Sequence, residues 1–391
     1  MSHELIKSDR QLEQLCRHLA DEPVIAFDTE FVSEHSYRPE LCLIQVAAGN
    51  RLAVIDPLAG ADPAPFWQLL AGQRGQETIV HAGREELLFC LGSAGGRPTA
   101  LFDVQIAAGL VGLEYPAGYG SLMFKLLGER ADKGETRTDW RRRPLTERQI
   151  EYALDDVRHL RAMRDELHKR LTKLGRLEWM QTEMAVWQTE VEATRGDERW
   201  RRVSGISSLS SRSLAVVREL WRWREAEAAR RDCPTKRVLR DDLIVELSKR
   251  RSADPKQIRA IRGMERGDLQ RVLPGIAQAI ERAVALTDAD CPAPAQREMP
   301  QQFNVLCQFL SSALGGICRA ASVAPSMVGT ASDVRDLIAF HLGLSSNGQP
   351  PLLKSGWRAE VVGRQIEDLL AGKIAIRIRD PRADEPLAFE P

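Results

Sequence analysis

Val24-Ile25-Ala26-Phe27-Asp28-Thr29-Glu30-Phe31 is the stretch that decides the fold. Four apolar residues in a row suit a strand buried on both faces, as in the middle of an α/β sheet. Asp28 and Glu30 follow at its end, two residues apart, and a pleated strand points side chains at i and i+2 the same way. Like charges at about 4 Å repel by roughly 1–4 kcal/mol, depending on the effective dielectric. A pair placed like this calls for a cation, a shared proton or good solvation.

Working outward, the flanking sequence keeps the α/β character. Leu41 to Ala48 and Leu52 to Ile55 read as strands joined by Gly49-Asn50, two residues that tolerate the positive φ of a tight hairpin. Thr78 to His81 reads as a further strand, followed by a helix over Gly83–Leu91. Leu101-Phe102 reads as a last short strand, and Asp103 after it as a helix N-cap. Thr146-Glu147-Arg148-Gln149 has the form of a capping box. It predicts a long helix with Ile150, Ala153, Leu154, Val157 and Leu160 as its apolar stripe. On that helix Tyr152 and Asp156 fall about 40° apart, beside the stripe, where both can face a cleft. Asp155 points further from the stripe, which makes Asp156 the candidate ligand. His81-Ala82-Gly83-Arg84-Glu85-Glu86 places two acids in a first helical turn, where the helix dipole favours them.

From Leu214 to Ala285 the pattern is helical, with breaks at Cys233-Pro234, Asp254-Pro255 and Gly263. A Pro- and Asp-containing linker is expected over Thr287–Pro300, and a second helical unit from Gln301 to about Gly372. The last dozen residues read as a frayed tail. With 391 residues, two or three domains are expected. The 43% hydrophobic and 28% charged content is that of an ordinary globular protein. Net charge is zero, but Arg195 to Arg240 carries 13 Lys and Arg against 6 Asp and Glu, a possible polyanion footprint. Seven cysteines, none in a C-x-x-C pair, argue against zinc and against a disulfide framework. No apolar run approaches the roughly 18 residues of a membrane span. The N-terminal stretch has no signal-like apolar core. A cytoplasmic protein is expected.

Together the three acidic fragments resemble the ribonuclease D family of DEDD exonucleases, in the subgroup marked by a tyrosine. Val24 to Phe31 is similar to its first motif and His81-Ala82-Gly83 to the opening of its second. Arg137-Thr138-Asp139-Trp140, Arg143-Pro144-Leu145-Thr146, Tyr152 and Asp156 are similar to its third motif with its approach segment. Leu209 to about Ala285 resembles a helicase-and-RNase-D C-terminal (HRDC) domain. Gln301 to about Gly372, with Ser355-Gly356-Trp357-Arg358, resembles a second one. The resemblance implies a DEDD 3′→5′ exonuclease domain over 1–195, with a ribonuclease H-like mixed sheet and flanking helices. Two all-α HRDC-like domains over 209–288 and 300–375 and a tail over 376–391 complete the expected organisation.

The implied activity is release of 5′-mononucleotides from RNA with a free 3′ end, in particular tRNA precursors, without any membrane role. The implied cofactors are two divalent ions, Mg²⁺ or Mn²⁺. Asp28, Glu30, Glu86 and Asp156 would hold them, and Tyr152 would orient the attacking water. The sequence departs from the family at one position: Glu86 stands where the second motif carries aspartate. That departure keeps open an RNA-binding protein with an impaired site, and DNA in place of RNA is a further alternative. Phe31, Gln45 and His81 are candidate contacts to the terminal nucleotide. Arg137, Arg141, Arg142 and Arg143 are candidate phosphate contacts because they precede the catalytic helix. Trp221 and Arg222 mix stacking and charge as single-strand binders do.

Overall fold

The computed structural model describes residues 3–72, 75–130, 138–194, 196–294, 303–345, 349–383 and 385–391. In chain order the first part runs β1 (His3–Ile6), α1 (Asp9–Leu19), β2 (Val24–Val32), β3 (Glu40–Ala48) and β4 (Arg51–Ile55). It continues through α2 (Ala64–Gly72), β5 (Glu77–Val80), α3 (Arg84–Ser93), β6 (Ala100–Asp103), α4 (Val104–Leu110) and α5 (Tyr119–Leu127). Three more helices, α6 (Glu147–Arg158), α7 (Leu160–Lys173) and α8 (Leu177–Ala193), complete it. The strands form one mixed sheet in the order β1-β4-β3-β2-β5-β6. β3 is antiparallel to both of its neighbours, β2 and β4, while β5 and β6 run parallel to β2.

The apolar half of β2 does what a central strand must. Ile25 and Phe27 are buried, and Phe27 packs edge-on against Phe66 and Trp67 of α2 at 5.6 and 5.7 Å. Only Val24, Ile25 and Ala26 pair with β5. β2 then runs on past the end of β5, so Asp28 and Glu30 project beyond the carboxyl ends of the parallel strands. Open α/β sheets place their crevices there. A register shift between Glu30 and Phe31 marks a bulge against β3, the kind of irregularity that re-aims side chains beside a site.

The turn from β5 into α3 closes this crevice. Ala82 is left-handed at φ 54°. A Cβ on Gly83 would stand 2.4 Å from Val80 Cγ2, so only glycine fits. Asp103 holds the turn: its carboxylate accepts from the backbone N–H of Ala82 (3.1 Å) and Gly83 (2.9 Å). It also caps α4 through Gln105 N–H at 2.8 Å. Opposite, the capping box of α6 is formed between Thr146 and Gln149. The expected stripe is buried, although the helix breaks at His159 and Leu160 begins α7.

The second part comprises α9 (Ser211–Arg231), α10 (Thr235–Val238), α11 (Asp241–Arg250), α12 (Pro255–Arg259) and α13 (Gly267–Val284). It has its own apolar core, built on Trp200, Leu220, Ile244 and Ile280. The third has α14 (Phe303–Ala320), α15 (Pro325–Val328), α16 (Ala331–His341) and α17 (Gly356–Arg358). A π-helical turn then leads into α18 (Arg364–Leu370). Both units open with a long helix, a four-residue one and one of ten or eleven residues.

Unlike the second, the third unit shares one apolar core with the sheet domain. Arg176, before α8, donates to the carbonyls of Leu110 (2.6 Å), Ser322 (2.7 Å) and Ala321. Glu183 of α8 takes both guanidinium nitrogens of Arg358 at 2.8 Å and the Trp357 indole N–H at 3.2 Å. The tail expected over 376–391 instead holds both strands of a hairpin but for its first residue: β7 (Ala375–Ile378) pairs with antiparallel β8 (Leu387–Glu390). Its Phe389 packs on the shared core, which supplies the apolar contact that an isolated hairpin lacks. Among the described residues no helix is long and apolar enough to cross a membrane.

Candidate active site

A cleft of about 280 Å³ opens where β2, α3, α5 and α6 meet, with Asp28, Glu86 and Asp156 on its wall beside Phe31, His81 and Tyr119. β2 brings Asp28 and Glu30, the first turn of α3 brings Glu86, and α6 brings Asp156. Residues distant in sequence thus form one acidic cluster. Each carboxyl shows it by holding its proton more tightly than usual. Asp28 is pushed well up by loss of water and then by Glu86, Asp156 and Glu30. Glu30 rises to about 8, through desolvation and then the charges of Asp156 and Glu86. Glu86 rises to about 7 by burial, although the Thr29 hydroxyl donates to its Oε1 at 2.5 Å and eases its charge. Asp156 also rises to about 7, through desolvation and then Asp155.

None of the four forms an ion pair with a basic side chain among the described residues. Buried carboxylates without a cationic partner are costly as anions. This donor set, all hard oxygens, fits a divalent cation such as Mg²⁺. As the side chains stand, no three Asp, Glu, His or Cys residues among those described are close enough to hold one ion. Binding one therefore calls for rotation of the carboxylates toward a common point.

The other expected contacts divide. Phe31 lines the cleft and packs edge-on against Phe89 at 5.8 Å. His81 also lines it, with Nε2 at 2.9 Å from the Ala117 carbonyl. Tyr152 is partly buried and stacks on Trp140 with ring centroids 6.1 Å apart, four residues before Asp156 on the same helix. Arg142 is the most exposed of its run, at 84%, with Asp139 3.9 Å away. Arg141 is engaged more tightly, by both Asp139 oxygens. Arg137 lies outside the described residues.

Three expectations need correction. Arg143 does not reach toward a substrate phosphate: its guanidinium grips Asp56, itself 1% exposed, at 2.6 and 2.7 Å and donates to the Cys42 carbonyl. Gln45 is completely buried in the sheet and has no route to a nucleotide. Trp221 is buried in the core of the second part, so its ring is not free to stack, while Arg222 beside it stays exposed and pairs with Glu219 on its own helix at 2.9 Å. The excess positive charge of the basic stretch is offset only in part. Arg212 pairs with Asp288, Arg224 with Asp241 and Arg240 with Asp242, all acids outside the stretch itself.

Tyr119 is the cleft residue that the sequence reading missed. Its hydroxyl donates to the Asp155 carbonyl at 2.6 Å, and burial together with Asp156 holds its proton far more tightly than usual. Ala117-Gly118-Tyr119-Gly120 reads as a loop, yet Gly118 caps α5 and Tyr119 begins it. The aromatic beside small residues was the available signal.

Comparison with known proteins agrees with this architecture. Residues 3–172 match the model of a 3′-5′ exonuclease family and residues 213–280 that of the HRDC domain. The chain is 35% identical over 382 residues to ribonuclease D of Gluconacetobacter diazotrophicus, covering 97% of this chain and 95% of that protein. It is 35% identical to ribonuclease D of Acidiphilium cryptum over 385 residues, 97% of this chain and 96% of that one. Among solved structures it is similar to Escherichia coli RNase D, described as an exoribonuclease involved in structured RNA processing. The TM-score is 0.81 and the identity 28%, over 95% of this chain and 99% of that one.

Proposed function

Because this chain belongs to the ribonuclease D family and is a 3′→5′ exoribonuclease, we propose that it works at the Asp28, Glu30, Glu86 and Asp156 cluster with two divalent ions. The observation that carries this reading is the set of four carboxylates, each with a raised pKa and none with a basic partner among the described residues. Mg²⁺ or Mn²⁺ held there supplies Lewis-acid stabilisation of the charge that builds on the attacking and leaving oxygens.

The chain's own groups do the rest. Tyr152, four residues before Asp156 on α6, orients water by hydrogen bonding. Phe31, His81 and Tyr119 wall the cleft and shelter the terminal nucleotide from solvent. Arg142, exposed at the start of the approach to α6, contacts a backbone phosphate. Each turnover releases a 5′-mononucleotide. We assign structured RNA with a free 3′ end, precursor tRNA above all, as the substrate in the cytoplasm. The likeness to the Escherichia coli enzyme, described as acting in structured RNA processing, supports the choice of structured RNA. The third unit, which opens with the same order of helix lengths as the HRDC domain, is read as a second HRDC-like module.

Glu86 is read as a working ligand despite its extra methylene, because Thr29 already tethers its carboxylate beside the cleft. Digestion of 3′- and 5′-labelled RNA in Mg²⁺ tests this. The unsubstituted protein should release labelled mononucleotide from the 3′ end, and Glu86→Asp should stay within about tenfold of it. An inert native protein that Glu86→Asp awakens would instead mean a disabled site.

A further inference from the structure

Gln45 is the most conspicuous polar group that the proposed chemistry leaves unused. It lies on β3 directly opposite Asp28 in the β2–β3 register. It is 0% exposed, and neither its Oε1 nor its Nε2 has a hydrogen-bond partner. Buried amides are almost always satisfied, so an orphan of this kind needs a reason. Its surroundings do not provide one. Val54, facing it on β4, is fully buried, and α6, which covers this part of the sheet, presents Ile150, Ala153 and Leu154. The polar residue set opposite it in the strand register is Asp28. Directly paired residues on adjacent antiparallel strands point to the same face, with Cβ atoms about 4.5–5.5 Å apart. Asp28 has the complementary deficiency: the Thr29 backbone N–H is the hydrogen bond that eases its charge, and three acids oppose it.

We propose that Gln45 is a positioning residue for Asp28, its amide N–H held for the Asp28 carboxylate and fixing the orientation in which Asp28 meets a divalent cation. The inference rests on the metal reading given above. Gln45 does not line the cleft, so it acts through Asp28 and leaves RNA untouched. An amide suits the task better than a basic side chain. It donates without neutralising the carboxylate, and so without competing with the cation. Partners that orient metal ligands in this way typically change metal affinity by about 10–100-fold when removed.

The test uses Gln45→Met, which keeps length and approximate volume but removes the donor, and Gln45→Leu as a second apolar replacement. Three quantities are read on the full chain: Mn²⁺ affinity by electron paramagnetic resonance, melting temperature in EDTA, and KM for a single-stranded RNA. The expected result is Mn²⁺ affinity lower by about 10–100-fold, with KM unchanged. The melting temperature should hold or rise, because an unsatisfied buried amide has been removed. Unchanged Mn²⁺ affinity in a well-folded variant overturns the proposal and makes Gln45 a filler. Parallel loss of affinity and melting temperature in both variants also overturns it, since damaged packing alone gives that pattern. If the unsubstituted protein binds no Mn²⁺, the metal reading itself fails and the role of Gln45 falls with it.

Discussion

Glu30→Gln should make the metal-free protein more stable while abolishing its turnover. Glu30 sits in a cluster of mutually repelling acids, and its carboxyl is raised from 4.5 to about 8. A tenfold change in proton affinity corresponds to about 1.4 kcal/mol between protonation states, so ionising Glu30 in a rigid fold would cost about 5 kcal/mol. Side-chain relaxation and residual water reduce this, and two like charges a few ångströms apart repel by roughly 1–4 kcal/mol. A gain of about 1–3 kcal/mol at high pH is therefore expected from the neutral amide. The sign follows from linkage: an acid whose pKa is higher in the folded state binds more protons there. Its contribution is fully present below about 4.5 and is lost as pH climbs through about 8. Thermal denaturation in EDTA at pH 8.5 should show the variant melting several degrees above the parent, at about 2–4 °C per kcal/mol for a domain of this size. The gap should narrow at pH 5.5, and saturating Mg²⁺ should reverse it by stabilising the parent more. A variant no more stable than the parent at pH 8.5, or a gap equal at both pH values, would refute the picture of a charge-strained cluster.

Further outcomes follow from the same structure. Arg143→Ala leaves Asp56 buried without its partner and should cost about 3–5 kcal/mol in urea denaturation. Arg142→Ala, at an exposed position, should stay within about 0.5 kcal/mol in stability. It should instead lower the salt dependence of RNA binding by about one unit of slope, and an unchanged slope removes it from the footprint. Glu183→Ala strands Arg358 and the Trp357 indole at the seam between sheet domain and third unit. It should cost a similar 3–5 kcal/mol or so, about what breaking a buried pair costs, and lower the melting of both parts together, because they share one core. Two separate calorimetric transitions for those parts would contradict the shared core.

What the sequence reveals, and what it hides, follows the range of each interaction. The run Val24 to Phe27, the turn at Gly49-Asn50, the capping box at Thr146 and the N-cap at Asp103 are local. Their backbone geometry is dictated by neighbours within a few residues, and all are present. Arg143 is different. Its partner Asp56 lies 87 residues away, and nothing near Arg143 in sequence distinguishes a phosphate contact from a buried ion pair. Trp221 poses the same problem, since its burial depends on how α9 packs against α13. The hairpin at the end of the chain could have been found. Ala375-Ile376-Arg377-Ile378 and Leu387-Ala388-Phe389-Glu390 are short runs rich in β-favouring residues, yet their charged neighbourhood reads as a tail. Of the candidate site, three acids and the tyrosine-bearing helix are legible because strand and helix periodicity aim them. The burial of Gln45 beside Asp28 is a matter of register between two strands, and only the folded sheet displays it.

The most direct measurement is product analysis on RNA labelled at its 3′ end, with the native chain and Asp28→Asn compared in Mg²⁺ and in EDTA. Metal-dependent hydrolysis at the acidic cluster predicts labelled 5′-mononucleotide from the native chain in Mg²⁺ only. It predicts none from Asp28→Asn, which should still bind the RNA in EDTA with near-native affinity. Mononucleotide release by Asp28→Asn at a comparable rate, or by the native chain in EDTA, would contradict it.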